Sequence, residues 1–256
     1  MKIYVLASGS KGNMTCVKTK GSSFFIDAGI SMTKIKQKMN DYNMDMSEID
    51  TLFMTHEHSD HVAGLKALLK LGHIKTVYIS KGTYEALSAD IQDLMNDVRV
   101  IKADQQLEVN DLIVHTLMLS HDANEPIGFK FVDSESKSLV LLTDTGYVDN
   151  SYDTLLKGSD VYILEANHNP NTLIKSSRPF HLKQRILGVK GHLSNEDAVI
   201  LMNRYVTKHA AWVVGHMSED CNSILDVEKA IVDSFEDPTK ITCLFASQVS
   251  LEVIEI

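Results

Sequence analysis

Three features of this 256-residue chain predict a mixed α/β fold. Short apolar runs recur along its whole length, and they alternate with segments whose apolar residues return at helical spacing. Several of the runs also end abruptly in Asp, Glu or His. Polar groups delivered at the carboxyl ends of strands are where α/β proteins build their sites. No repeat, low-complexity tract or composition break divides the chain, which holds 4 prolines. A single domain over residues 1–256 is therefore expected.

Taken in order, residues 2–7 read as a strand that ends in the loop Ser8-Gly9-Ser10-Lys11-Gly12-Asn13. Its glycines permit tight turns and leave N–H groups exposed, so Ser8, Ser10 and Asn13 are candidates to cradle an anion. Residues 14–18 and 22–26 read as a hairpin around Lys20-Gly21, ending in Asp27-Ala28-Gly29. Ser31 is placed to cap a helix carrying Ile35 and Met39. The apolar run Leu52-Phe53-Met54 then delivers T-H-E-H-S-D-H-V-A-G at residues 55–64, with Val62, Leu65, Leu68 and Leu69 at helical spacing behind it. A strand at 76–79, a helix at 83–95 and strands at 98–101, 106–109 and 112–119 follow. The last of these presents Ser120-His121-Asp122-Ala123. A hairpin of 128–132 and 138–142 delivers Thr143-Asp144-Thr145-Gly146, and a strand at 161–164 delivers Glu165-Ala166-Asn167-His168. Ser194 caps a helix through Ala198, Leu201 and Met202. The strand at 212–214 presents Gly215-His216, Asn222 opens another helix, and strands at 241–245 and 251–254 close the chain.

The densest of these strand ends places His56, His58, Asp60 and His61 within six positions. Imidazole and carboxylate together suit Zn, Mn or Fe, and one ion does not readily take all four groups from so tight a turn. Two neighbouring divalent ions do. His121, Asp144 and His216 complete two coordination shells with them. His73, His115, His181 and His209 fall outside every motif.

Composition narrows the class. The chain is 44% hydrophobic and 23% charged, an ordinary globular balance. No apolar run approaches the roughly 20 residues that span a bilayer, and the apolar N-terminus is too short for a signal-peptide core. Cys16, Cys221 and Cys243 are odd in number and far apart, as expected of reduced, buried thiols in a cytoplasmic protein. Net charge is −9, which argues against nonspecific nucleic-acid binding by the whole surface. Between residues 171 and 195, however, Lys175, Arg178, Lys183, Arg185 and Lys190 occur with no Asp or Glu. That run is either a solvated helical face or a track for phosphates.

With these residues in view, the chain resembles the metallo-β-lactamase-fold hydrolases over nearly its full length. The resemblance is carried by Asp27, the H-x-H-x-D-H signature at residues 56–61, His121, the T-D-T at Asp144 and the terminal His216. The opening L-A-S-G-S-K-G-N, the S-H-D-A at 120–123, the E-A-N-H at 165–168 and the G-H-L-S-N at 191–195 are most similar to the YycJ/WalJ type. That type is a small cytoplasmic hydrolase of Gram-positive bacteria regarded as a 5′–3′ DNA exonuclease. The resemblance implies a four-layer αββα sandwich with its site at one edge of two sheets. It also implies that His56, His58 and His121 bind one ion, that Asp60, His61 and His216 bind the other, and that Asp144 bridges them. Asp27 then anchors the ligand loop from behind.

The chemistry expected of such a site is attack by a metal-bridging hydroxide on phosphorus, with Asp60 orienting the hydroxide and His192 supplying a proton or positive charge to the leaving oxygen. Glu165 or His168 sets the His192 tautomer, His168 being otherwise a plain surface histidine. Asp60 within the ligand motif, His192 and the basic run favour a phosphodiester of nucleic acid, DNA by resemblance. There is no room between Asp144 and His192 for the inserted domain of β-CASP ribonucleases, nor a long arm like that of tRNA-processing relatives. A small-molecule cyclic phosphodiesterase, a glyoxalase-II-like thioesterase and a non-catalytic metal-binding partner protein remain the alternatives.

Overall fold

The computed structural model describes all 256 residues. In the first part of the chain, strands β1 (Lys2–Ala7), β2 (Met14–Lys18) and β3 (Ser23–Ile26) form an antiparallel meander. Helix α1 (Met32–Asp41) starts on the hydroxyl of Ser31, which accepts from the Lys34 N–H. Strand β4 (Thr51–Phe53) is followed by the short helices α2 (Ser59–Val62) and α3 (Leu65–Leu69), strand β5 (Thr76–Ser80), helices α4 (Lys81–Ala86) and α5 (Ala89–Gln92), and strand β6 (Asp97–Ile101). Strands β3 to β6 run parallel.

The second part repeats the scheme in the same order, antiparallel strands first and parallel strands after. Strands β7 (Gln106–Val109), β8 (Leu112–Met118), β9 (Ile127–Asp133) and β10 (Ser138–Leu142) pair antiparallel. Helix α6 (Asp153–Leu156) leads to β11 (Val161–Glu165), α7 (Pro170–Lys175), α8 (Phe180–Leu187), α9 (Asn195–Tyr205), β12 (Ala210–Gly215), α10 (Ile224–Ser234) and β13 (Ile241–Phe245). Strands β10 to β13 are parallel. The terminal β14 (Ile254–Glu255) returns to pair with β1, so two seven-stranded sheets result, β14-β1-β2-β3-β4-β5-β6 and β13-β12-β11-β10-β9-β8-β7.

Period-two alternation sorts the side chains into three cores. In β10, Leu139 and Leu141 face the other sheet and pack with Phe24, Phe53, Phe129 and Phe131. Val140 and Leu142 face outward, against Ala198 and Met202 of α9 and Ile231 of α10. On the far side, Leu52 and Val77 of the first sheet pack under Ile35 and Met39 of α1 and Leu65 and Leu68 of α3. Helix, sheet, sheet and helix thus form the four layers expected from the family resemblance. No helix is long and apolar enough to cross a membrane.

Three boundaries differ from expectation. The helix expected at 83–95 is two helices, because Leu87 and Ser88 are extended. That break lets Leu87 and Met95 both reach the core, and Gln92 Nε2 caps the freed carbonyls of Tyr84 and Leu87. Helix α10 starts one residue later than expected, on Ser223; Asn222 instead donates to the Ala166 carbonyl and pairs with Asn195. The expected strand at 251–254 is reduced to the two residues of β14.

Candidate metal centre

The metal-ligand candidates all follow strand ends, and both sheets turn those ends to the same edge. Asp27 follows β3, residues 56–61 follow β4, His121 follows β8, Asp144 follows β10, Glu165 ends β11 and His216 follows β12. Asp27, Asp144 and His216 leave their strands with φ of 58°, 61° and 49°. The left-handed region turns each side chain back over the sheet edge at a cost on the order of 1 kcal/mol or more, and Asp and His are among the residues that tolerate it best. Two glycines let the ligand loops close on one another. A Cβ on Gly29 would lie 1.7 Å from the Asp60 carbonyl oxygen, and one on Gly64 would lie 2.0 Å from that of Ile30.

The turn brings together two donor sets, His56 with His58 and His121, and Asp60 with His61, Asp144 and His216. The ligand atoms of each lie within 4.8 Å of one another. Asp144 stands between them: its Oδ1 is 3.2 Å from His216 Nε2 and 3.9 Å from His121 Nε2, and its Oδ2 is 3.0 Å from His61 Nε2. The outer nitrogens are held by the protein. His61 Nδ1 donates to Asp27 Oδ2 at 2.7 Å, His56 Nδ1 lies 3.0 Å from Thr55 Oγ1, and His121 Nδ1 lies 3.2 Å from the Gly191 carbonyl. With those nitrogens engaged, the Nε2 atoms face inward. Thr55, itself tied to Asp27 through N–H and hydroxyl at 2.8 Å each, was not singled out from the sequence, although it opens the ligand motif.

These residues fit divalent metal. His56 Nε2 is buried without a hydrogen-bond partner, and His121 Nε2 faces His58 Nδ1 at 3.2 Å, an arrangement that leaves lone pairs converging on one point. The pocket is also short of positive charge. Burial works against the charged forms of His61 and His216, yet Asp144 with Asp27 holds His61 well above the ordinary imidazole range. Asp144 and Asp60 likewise raise His216 to about 9. Burial first, and then neighbouring His61, keeps His56 neutral.

His192 forms the inner wall. Its Nδ1 lies 3.0 Å from Oε2 of Glu165, whose carboxylate is fully buried and also accepts from the Thr145 N–H at 2.5 Å. The ring stacks on His216 at 5.1 Å. Glu165 is therefore the partner of His192. His168 is neither that partner nor a surface residue: it is 1% exposed, and both ring nitrogens lack a hydrogen bond. Ser8 and Asn13 also differ from expectation, being largely buried and engaged with the ligand loops. Ser8 Oγ accepts from the His216 N–H at 2.9 Å, and Asn13 Nδ2 contacts Asp60 Oδ2 at 3.3 Å and His61 Nε2 at 3.1 Å. Ser10 is exposed. Asn167, not foreseen, donates to the His216 carbonyl at 2.7 Å. Cys221 packs with Leu173 and Ile186, away from the centre.

The five basic residues do not form one uniform track. Arg178 is paired with Asp220 at 3.1 Å and with Ser218, and Lys183 donates to the carbonyls of Ile174 and Ser176 at 2.7 Å, closing the end of α7. Arg185 grips Asp122, the neighbour of His121, with both arms of its guanidinium. Lys175 and Lys190 make no ion pair, and Lys190 lines a cleft next to His121.

A four-layer sandwich with paired His/Asp clusters at one sheet edge defines a class. The chain belongs to the β-lactamase superfamily, whose domain model matches residues 23–216, and it is a hydrolase of the metallo-β-lactamase fold. Within that superfamily it belongs with the YycJ/WalJ group. It is 33% identical over 220 residues to the exodeoxyribonuclease YycJ of Bacillus anthracis, covering 85% of this chain and 83% of the relative. It is 33% identical over 225 residues to the exodeoxyribonuclease WalJ of Streptococcus pneumoniae serotype 2, covering 86% and 83%. Among solved structures, the metallo-β-lactamase fold protein YhfI from Bacillus subtilis superposes with a TM-score of 0.75 at 16% identity, over 100% of this chain and 98% of its own, which establishes likeness of fold.

Proposed function

We propose that this chain is a two-metal phosphodiesterase of nucleic acid, acting as a 5′–3′ exodeoxyribonuclease. The observation that carries the reading is the His192–Glu165 pair, which sets a braced, protonatable imidazole against the His/Asp clusters. A thioesterase or a structural metal site has no use for such a group. Support also comes from the names of the curated relatives, both exodeoxyribonucleases.

His56, His58 and His121 would hold one divalent ion, and Asp60, His61 and His216 the other, with Asp144 shared; Mn, Zn and Fe all suit the donor set. The ions supply Lewis acidity, neutralising charge on a phosphoryl oxygen and making water nucleophilic near neutral pH. The protein does the rest. Asp60 is the most accessible carboxylate of the cluster, with its side chain 19% exposed against 3% for Asp144, so it is the group placed to orient an attacking water. Glu165 accepts the Nδ1–H of a doubly protonated His192, so the Nε2–H faces the leaving oxygen and donates its proton there, leaving neutral His192 with its remaining proton on Nδ1. The Asp27–His61 and Thr55–His56 contacts hold the donors ready for the ions.

The test is Mn-supplemented digestion of end-labelled single- and double-stranded DNA and RNA, with a cyclic nucleotide in parallel. Stepwise release of mononucleotides from DNA 5′ ends is expected, and His58→Ala should abolish it together with binding of one ion. Intact polymer alongside cleaved cyclic phosphate would replace this reading by a small-molecule phosphodiesterase. Full turnover by the variant would remove the two-ion arrangement.

A further inference from the structure

A cleft of about 540 Å³ opens beside His121, between the end of β8, the 123–126 loop and the segment that follows Asp144. Its size falls within the roughly 300–1,000 Å³ of sites that take small organic groups. The carboxylates on its walls are already engaged. Asp104 accepts from the Tyr152 hydroxyl at 2.5 Å, Glu125 from the Gly82 N–H at 2.7 Å and Asp149 from the Ser151 N–H at 2.8 Å. Two kinds of group are left unengaged. One is apolar surface, chiefly the Tyr147 ring, whose residue is 47% exposed, and the Met118 thioether, at 62%. The other is the Lys190 ammonium, which has no ion-pair partner.

These groups are mounted on the backbone that builds the metal centre. Tyr147 lies three residues beyond Asp144, and its carbonyl accepts from Thr145 Oγ1 at 2.6 Å, while the Thr145 N–H is held by buried Glu165. The Met118 N–H donates to the Tyr152 hydroxyl at 3.1 Å. Ser120, next to His121, donates to the Val189 carbonyl at 2.7 Å and so ties the Lys190 segment to the same loop. A planar apolar face and an unpaired cation thus line one cleft that also takes in His121 of the donor clusters.

We propose that this cleft is a nucleobase subsite: the base next to the phosphate under attack stacks on Tyr147 against Met118, and Lys190 takes the neighbouring phosphate. The inference rests on the nucleic-acid reading of the metal centre. Stacking is indifferent to base identity because every base has a π face. The subsite therefore positions a nucleotide without selecting sequence, and it favours an unpaired end whose terminal base is free to leave its partner.

The experiment is calorimetric titration of the metal-loaded protein with deoxyadenosine 5′-monophosphate and, separately, with deoxyribose 5-phosphate, for the native chain, Tyr147→Ala and Tyr147→Phe. The native chain should bind the nucleotide about tenfold more tightly than the sugar phosphate. Tyr147→Ala should erase that preference and Tyr147→Phe should keep it, with sugar phosphate bound equally by all three. Equal binding of the two ligands by the native chain, or a preference that survives Tyr147→Ala, overturns the subsite. Polymer digestion run on the same samples separates the two readings. A base preference without hydrolysis retains the subsite and removes the nuclease, whereas hydrolysis without a base preference does the reverse.

Discussion

Asp27 sits one layer behind the donor clusters, accepting from the backbone and hydroxyl of Thr55 and from His61 Nδ1. Asp27→Asn keeps the shape and tolerates the positive φ, but removes the charge that holds the His61 proton on Nδ1. Metal affinity should fall about 10- to 100-fold while the fold survives. A chelator-competition titration checks this, and unchanged affinity would deny Asp27 its anchoring role. His168 makes a second prediction at this scale. Burial, and then the neighbouring His192, depress it to about 4 from an ordinary value near 6.5, so the folded state keeps it neutral while the unfolded chain takes up a proton. Its contribution is therefore complete above about pH 6.5 and drains away as pH falls toward 4, by roughly 3 kcal/mol in all. Urea unfolding of the native chain and His168→Leu across that range should show their difference shrinking or reversing in favour of the variant as pH drops. Parallel curves would mean that His168 does not titrate with folding.

At the level of elements, the centre depends on loops pressed together more closely than side chains allow. Gly29 abuts the Asp60 carbonyl, and Gly64 breaks the α2–α3 run against Ile30. Gly29→Ala must push the 27–30 loop off the ligand turn, although it alters no donor. It should reduce the metal bound per chain and lower the melting temperature by several degrees, read by elemental analysis and calorimetry. Normal loading would show that the turn can yield. The α7–α8 hairpin is fastened to the opposite wall by the Arg185–Asp122 pair, and Lys183 closes α7 from within. Much of the basic run is therefore architecture.

Over the whole molecule, a net charge of −9 leaves little general attraction for a polyanion. If the chain acts on nucleic acid as proposed, a few well-placed cations must supply the attraction. Lys175 and Lys190 are the unpaired ones of the basic run, whereas Arg178 and Arg185 are matched by Asp220 and Asp122. Lys175→Glu with Lys190→Glu should weaken oligonucleotide binding strongly and lower the slope of log affinity against log salt by up to about two. A small aromatic phosphodiester should be affected far less. Equal losses on both substrates would return these lysines to ordinary surface.

The sequence by itself determined the fold class and pointed to the residues that cluster as candidate donors, because both signals are local. Strand and helix periods are written within a few residues, and H-x-H-x-D-H with its companions at strand ends needs no tertiary knowledge to be read as metal chemistry. What only the tertiary structure decided was the partner of each group. The E-A-N-H segment offered two candidates for His192, and packing chose Glu165 by burying its carboxylate against the ring, leaving His168 sealed and unpartnered. The serine and asparagine of the first loop looked able to reach a ligand until β1 and its loop were folded under His216 and Asp60. The positive-φ turns at Asp27, Asp144 and His216, and the pairing that ties down most of the basic run, were equally hidden. The Glu165–His192 and Ser8–His216 contacts join residues 27 and 208 positions apart, and no local pattern carries that information.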